Sequence, residues 1–99
     1  MEKLHFTFTA SEPITHPVHV GVVASGDLEI IMRPTAEKQA DLKIITGSDG
    51  FQKVWRNVLE RFFARYPLLA NFEINDYGAT PGVVNLRLTQ AMEALKDEQ

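Results

Sequence analysis

Cysteine is absent from the 99-residue chain. Its absence excludes a disulfide scaffold, a thiolate nucleophile and any cysteine-ligated metal. If the chemistry this protein serves needs a thiol, that thiol comes from outside the chain. A basic excess is also missing: 10 Lys and Arg face 13 Asp and Glu, for a net charge of −3. Nonspecific attraction to nucleic-acid phosphates is therefore not expected. No apolar run is long enough to cross a bilayer, and the alternating N-terminus lacks the layout of a signal peptide. These readings predict a cytoplasmic location with neither nucleic acid nor membrane as partner. G-x-S-x-G elbows and Walker loops are absent as well.

The apolar share of 44% and charged share of 23% suit a folded soluble chain. The length favours one domain spanning 1–99, with a small core that needs all its elements packed together. Leu4, Phe6 and Phe8 alternate with His5, Thr7 and Thr9, which predicts a strand with one buried face. Ala10 to Pro17 contains two prolines and reads as a loop. Val18 to Ala24 and Leu28 to Arg33 read as strands joined at Ser25-Gly26, a hairpin signal in which glycine supplies positive φ. Pro34 ends the second of them, Thr35 to Asp41 is expected to turn, and Leu42 to Thr46 forms the next strand.

Phe51, Val54, Trp55, Val58, Leu59, Phe62, Phe63 and Tyr66 follow three-four spacing, so they predict a helix with one apolar stripe. Asp49 with Gln52 fits a capping box at its start, and Pro67 stops it. Phe72 and Ile74 mark a further strand. Thr80-Pro81 then suits a helix start, and Val84, Leu88, Ala91 and Leu95 lie on one helical face. Val84, Leu86 and Leu88 also alternate as in a strand; the helix is preferred because Gln90 to Lys96 is rich in helix formers. The expected fold is α+β, in the order β-β-β-β-α-β-α. It is a mainly antiparallel sheet of about five strands, with two helices packed on one face.

Candidate sites are few. His16 and His19 are three apart, so in a strand they face opposite sides and do not converge on a metal; no metal site is expected. Gly47-Ser48-Asp49-Gly50 before a helix is explained by helix capping. Lys53, Arg56, Arg61 and Arg65 read as a solvated helix face, with docking to an acidic surface as the alternative. Ser25 and Asp27 do not make a catalytic pair, because an exposed aspartate is a poor base at neutral pH. The chain is thus expected to be no enzyme by itself. Ser25 nevertheless stands between Ala24 and Gly26, with room for a modifying enzyme to approach. As a turn residue it needs no function; as a modification site it would be well placed.

The stretches VGVVASGDLEI and DYGATPGVVNLRL (76 to 88), together with the chain length and the aromatic helix between them, resemble the acyl carrier (delta) subunit of biotin-independent malonate decarboxylase. A more distant resemblance is to the acyl carrier gamma chain of citrate lyase. The helical-bundle acyl carriers are not resembled, since no Asp-Ser-Leu motif opens a helix. The resemblance implies that Ser25 carries a covalent 2′-(5″-phosphoribosyl)-3′-dephospho-CoA arm through a phosphodiester, with Gly26 and Asp27 completing the attachment turn. It implies acetyl and malonyl thioesters on that arm, and a cycle shared with malonate decarboxylase transferase and decarboxylase subunits. It also implies a prosthetic-group transferase that loads Ser25. Asp76, Gly78 and Ala79 match the family's later turn, either as a tight strand-to-helix connection or as a contact to the arm or a partner. Citrate lyase-type carriage and a noncatalytic α+β binding or regulatory domain remain the alternatives.

Overall fold

A computed structural model describes residues 2–21, 27–47 and 49–97. The N-terminal alternation forms β1 (Glu2–Thr9), with Leu4 and Phe6 buried and Lys3, His5 and Thr7 exposed. After β2 (Glu12–Pro13) come β3 (Val18–Gly21), β4 (Leu28–Pro34) and β5 (Gln39–Thr46). Then follow α1 (Gln52–Arg65), β6 (Leu68–Asp76) and α2 (Pro81–Asp97). The strands form one sheet in the order β1-β5-β6-β4-β3, with β2 pairing against β6.

Register explains the core. One row across the sheet runs Phe6, Leu42, Phe72, Met32, Val18, and the next runs Leu4, Ile44, Ile74, Ile30, Val20. Paired residues share a face, so these rows make one continuous apolar surface. Both helices cover it. From α1 come Trp55, Val58, Leu59, Phe62 and Phe63, and from α2 come Val84, Leu88, Ala91 and Leu95; all join a single buried cluster with the sheet. Phe63 links the layers, stacking on Phe8 at 4.7 Å between ring centroids and meeting Phe72 edge-on at 5.5 Å. The opposite face is largely polar, with His5, Lys43, Glu73, Ile31 and His19 on one row.

The α+β class and both helices match the sequence expectation. In α2 the face Val84, Leu88, Ala91, Leu95 is buried and Leu86 is 52% exposed, as helical rather than strand periodicity requires. Thr80 accepts from Val84 N–H at 3.0 Å through its carbonyl, with Pro81 opening the helix.

Four details differ. The loop over Ala10 to Pro17 contains β2, whose Pro13 is tolerated because this strand pairs along one side only, in parallel with β6. Gln39 to Asp41 belong to β5 rather than to a turn, because Ala40 is buried against β1 opposite Phe8. Phe51 and Val54 are exposed at the start of the α1 stripe instead of entering the core. The Asp49–Gln52 capping box does not form: Phe51 is the N-cap and no side chain caps it. Gly50 N–H instead points to Glu2 Oε1 at 3.3 Å, tying this turn to β1. The sheet is antiparallel except for β5–β6 and β2–β6. The parallel β5–β6 pair follows from α1, which serves as the crossover a parallel neighbour needs.

Gly21 closes β3 at φ +97°, and an added Cβ there would stand 2.0 Å from the Leu28 carbonyl oxygen. Only glycine combines that φ with that approach. Gly21→Ala is expected to lower unfolding free energy by about 2–4 kcal/mol through strain and overlap. Urea unfolding followed by circular dichroism measures it.

Candidate functional site

The site is built at one end of the sheet, where β5 and β6 finish and β4 begins. Thr46 pairs with Asp76, and Asp76 pairs with Leu28. Asp27 therefore stands beside the turn that follows β6. Ser25 and Gly26 lie outside the described residues; Asp27 is the first described residue after them.

Asp27 is held by main chain and side chain. Its carbonyl accepts from Tyr77 N–H at 2.8 Å. Its carboxylate accepts from Leu28 N–H at 2.7 Å and from Arg87 of α2 through a two-pronged fork, Nε to Oδ1 at 3.0 Å and Nη2 to Oδ2 at 2.8 Å. Arg87 is itself braced by Gln90, with Nη1 donating to Oε1 at 2.8 Å. Fork geometry fixes direction as well as distance. The hydrogen bonds from Arg87, then that from Leu28 N–H, hold the Asp27 carboxyl below its ordinary value of 3.8; desolvation pushes the other way, and the guanidinium charge adds a smaller lowering. An ionised, paired carboxylate is a poor proton acceptor, so Asp27 is suited to shaping the turn rather than deprotonating a hydroxyl.

Asp76 is the second organiser. It is 7% exposed. Its Oδ1 accepts from Gly78 N–H at 3.0 Å and Ala79 N–H at 2.8 Å, while Oδ2 accepts the hydroxyl of buried Thr46 at 2.8 Å. Its carbonyl accepts from Gly47 N–H at 3.1 Å. Gly78 takes φ +109°, so the turn after Tyr77 suits glycine. One side chain thus fastens β5, β6 and the start of α2. Beside this turn a cavity of about 330 Å³ opens between the first turns of the two helices, lined by Phe51, Val54, Trp55, Ala79, Pro81 and Val84 among others.

The two sequence-predicted clusters, Asp27 and the Asp76–Ala79 turn, are thus brought together across 49 positions by β4–β6 pairing and the Asp27–Tyr77 hydrogen bond. His16 and His19 take separate partners, His16 Nδ1 lying 3.2 Å from the Thr15 hydroxyl. His19 lies on the polar face and hydrogen-bonds Glu29 at 2.8 Å, with Asn75 donating to the same carboxylate at 2.8 Å. Among the described residues no group of three or more His, Asp or Glu is placed to hold a metal ion. Of the basic residues on α1, Arg56 and Arg65 lie over the rings of Phe6 and Tyr66, at 5.1 and 5.3 Å from their centroids. Arg87 was not singled out from the sequence. It sits 60 residues from Asp27 and off the apolar face of α2, and only the folded sheet brings the two charges together.

Comparison with known proteins places this fold in a family. The family model described as malonate decarboxylase delta subunit (MdcD) matches residues 15–95. The malonate decarboxylase acyl carrier protein of Azotobacter vinelandii is 42% identical over 98% of this chain and 99% of its own. That of Burkholderia cepacia is 46% identical over 92% of this chain and 87% of its own. A chain in the crystal structure of a Pseudomonas malonate decarboxylase hetero-tetramer in complex with malonate superposes with a TM-score of 0.90. It is 38% identical, covering 96% of this chain and 99% of that one. The chain belongs to the malonate decarboxylase delta subunit family, the acyl carrier subunits of that enzyme.

Two outcomes test this geometry. Because folding lowers the Asp27 pKa, its stabilising contribution is present above the unfolded-state value and is lost as pH falls through the folded-state value. Wild type should therefore exceed Asp27→Asn in stability by a constant margin from pH 7 to about 5, with the margin shrinking below about 4. Chemical unfolding across that range checks it. Asp76→Ala strands two main-chain donors and a buried hydroxyl, and should cost about 2–4 kcal/mol of stability. Chemical unfolding followed by circular dichroism measures it.

Proposed function

We propose that Ser25 is the attachment residue for a phosphoribosyl-dephospho-coenzyme A arm, joined through a phosphodiester, and that the chain carries acetyl and malonyl groups for malonate decarboxylase. The observation that supports this most is the hairpin base: β3–β4 pairing reaches Gly21–Glu29, and Ser25 is equidistant in sequence from those two residues. The ladder holds one side of the connection, and Asp27, fastened to Tyr77 and Arg87, holds the other. The chain lacks cysteine, so the carried thioester needs a thiol from a prosthetic group.

The residues at this end fit such an arm. A phosphodiester at residue 25 adds negative charge two positions from Asp27, and the Arg87 guanidinium already neutralises that carboxylate. When bound, the arm supplies the thiol that bears acetyl or malonyl as a thioester. The chain's own contribution is attachment and reach. Tethering gives the acyl group an effective concentration on the order of millimolar at partner sites. Those sites belong to transferase and decarboxylase subunits, and a separate prosthetic-group transferase loads Ser25. The chain itself catalyses neither step, and the cycle is cytoplasmic. The membership of the solved relative in a malonate decarboxylase hetero-tetramer supports that partnership.

Intact-protein mass after co-expression with the modifying enzymes tests the reading. Wild type gains the mass of the arm. Ser25→Ala stays unmodified while keeping the wild-type circular dichroism spectrum and unfolding midpoint. A Ser25→Ala protein that still gains the arm would overturn the assignment.

A further inference from the structure

We infer that Arg87 is the positioning residue for arm attachment, acting through Asp27 to set the C-terminal foot of the Ser25 segment. The inference rests on the reading of Ser25 as the attachment residue and adds a second, distant residue to it.

Three observations carry it. The Arg87 fork engages both oxygens of Asp27, which permits one orientation of the carboxylate rather than a family of them. Gln90, one turn along α2, takes the remaining Nη of Arg87, so the fork is braced before Asp27 meets it. Arg87 and Asp27 keep only 19% and 23% side-chain exposure, which limits the paths by which either can swing into solvent. Leu28, immediately after Asp27, is fully buried and fixed in the sheet. Asp27, two positions after Ser25 in sequence, is therefore held by a helix and a sheet jointly.

Loading joins Ser25 Oγ to phosphorus. The phosphoric-anhydride bond of the activated arm breaks, a pyrophosphate-type group leaves, and the hydroxyl proton passes to a base of the transferase. Such an in-line displacement depends steeply on where the attacking oxygen sits. Arg87 also neutralises Asp27, so that incoming phosphates do not meet an unpaired carboxylate beside the serine.

The test is a loading assay with purified prosthetic-group transferase and the activated arm, a phosphoric anhydride of phosphoribosyl-dephospho-coenzyme A, followed by intact mass over carrier concentration. Arg87→Gln is expected to load roughly ten- to hundredfold more slowly. The loss should fall mainly in kcat rather than KM, at a temperature where circular dichroism shows it folded. Arg87→Lys keeps the charge but not the fork and should recover only part of the rate. Asp27→Asn should lose a similar factor, and the double variant should lose little more than either single one. Wild-type loading of both Arg87 variants, or losses in the two single variants that multiply in the double, would overturn the proposal. Ser25→Ala run alongside separates the two claims. If it stays unmodified while the Arg87 variants load normally, only the Arg87 inference falls; if it is modified, the attachment reading falls and takes the inference with it.

Discussion

The anchoring of Asp27 is the constraint on which the functional end of this molecule depends. Its carbonyl is fixed to the turn after β6 and its carboxylate to α2, while the next residue is buried in the sheet. Three parts of the fold thus converge on one residue two positions from Ser25, the proposed attachment residue. The proposed attachment gives that arrangement a use. A carrier's arm must travel between partner sites, but the atom that bears the arm must present itself reproducibly to the enzyme that loads it.

Asp76 plays the complementary part inside the scaffold. It satisfies two main-chain donors of the turn before α2 and the hydroxyl of Thr46, and thereby fixes where α2 begins relative to β5 and β6. Since Arg87 lies in the second turn of α2, the placement of that helix decides whether the guanidinium reaches Asp27. The two aspartates are therefore linked in series: one places the helix, and the helix places the cation that holds the other.

Most of the fold was legible because its elements are periodic. The aromatic spacing of α1, the Thr80-Pro81 start of α2 and the alternation in β1 and β4 each report local geometry that burial enforces. Less was legible where tertiary contact decides. Gln39 and Asp41 are polar and look like turn residues, but pairing with β1 draws them into β5. Pro13 argued for a loop, and an irregular edge pairing with β6 accommodates it. Asp49 and Gln52 match a capping box in spacing, yet the preceding turn bonds to β1 instead. At the site, Asp27 and the Asp76–Ala79 turn stood out as motifs, whereas Arg87 did not. A charge off the apolar stripe of a helix has no local signature, and its partner is supplied by sheet pairing across most of the chain.

The central claim is that this sheet end exists to present Ser25 for phosphodiester attachment. The most direct measurement is fragment-ion mapping of the arm on carrier purified from cells that express the complete decarboxylase and its modifying enzymes. Ser11, Ser25 and Ser48 are the serines available. The arm is predicted on Ser25 alone, and an arm found on Ser11, Ser48 or any threonine would contradict the account.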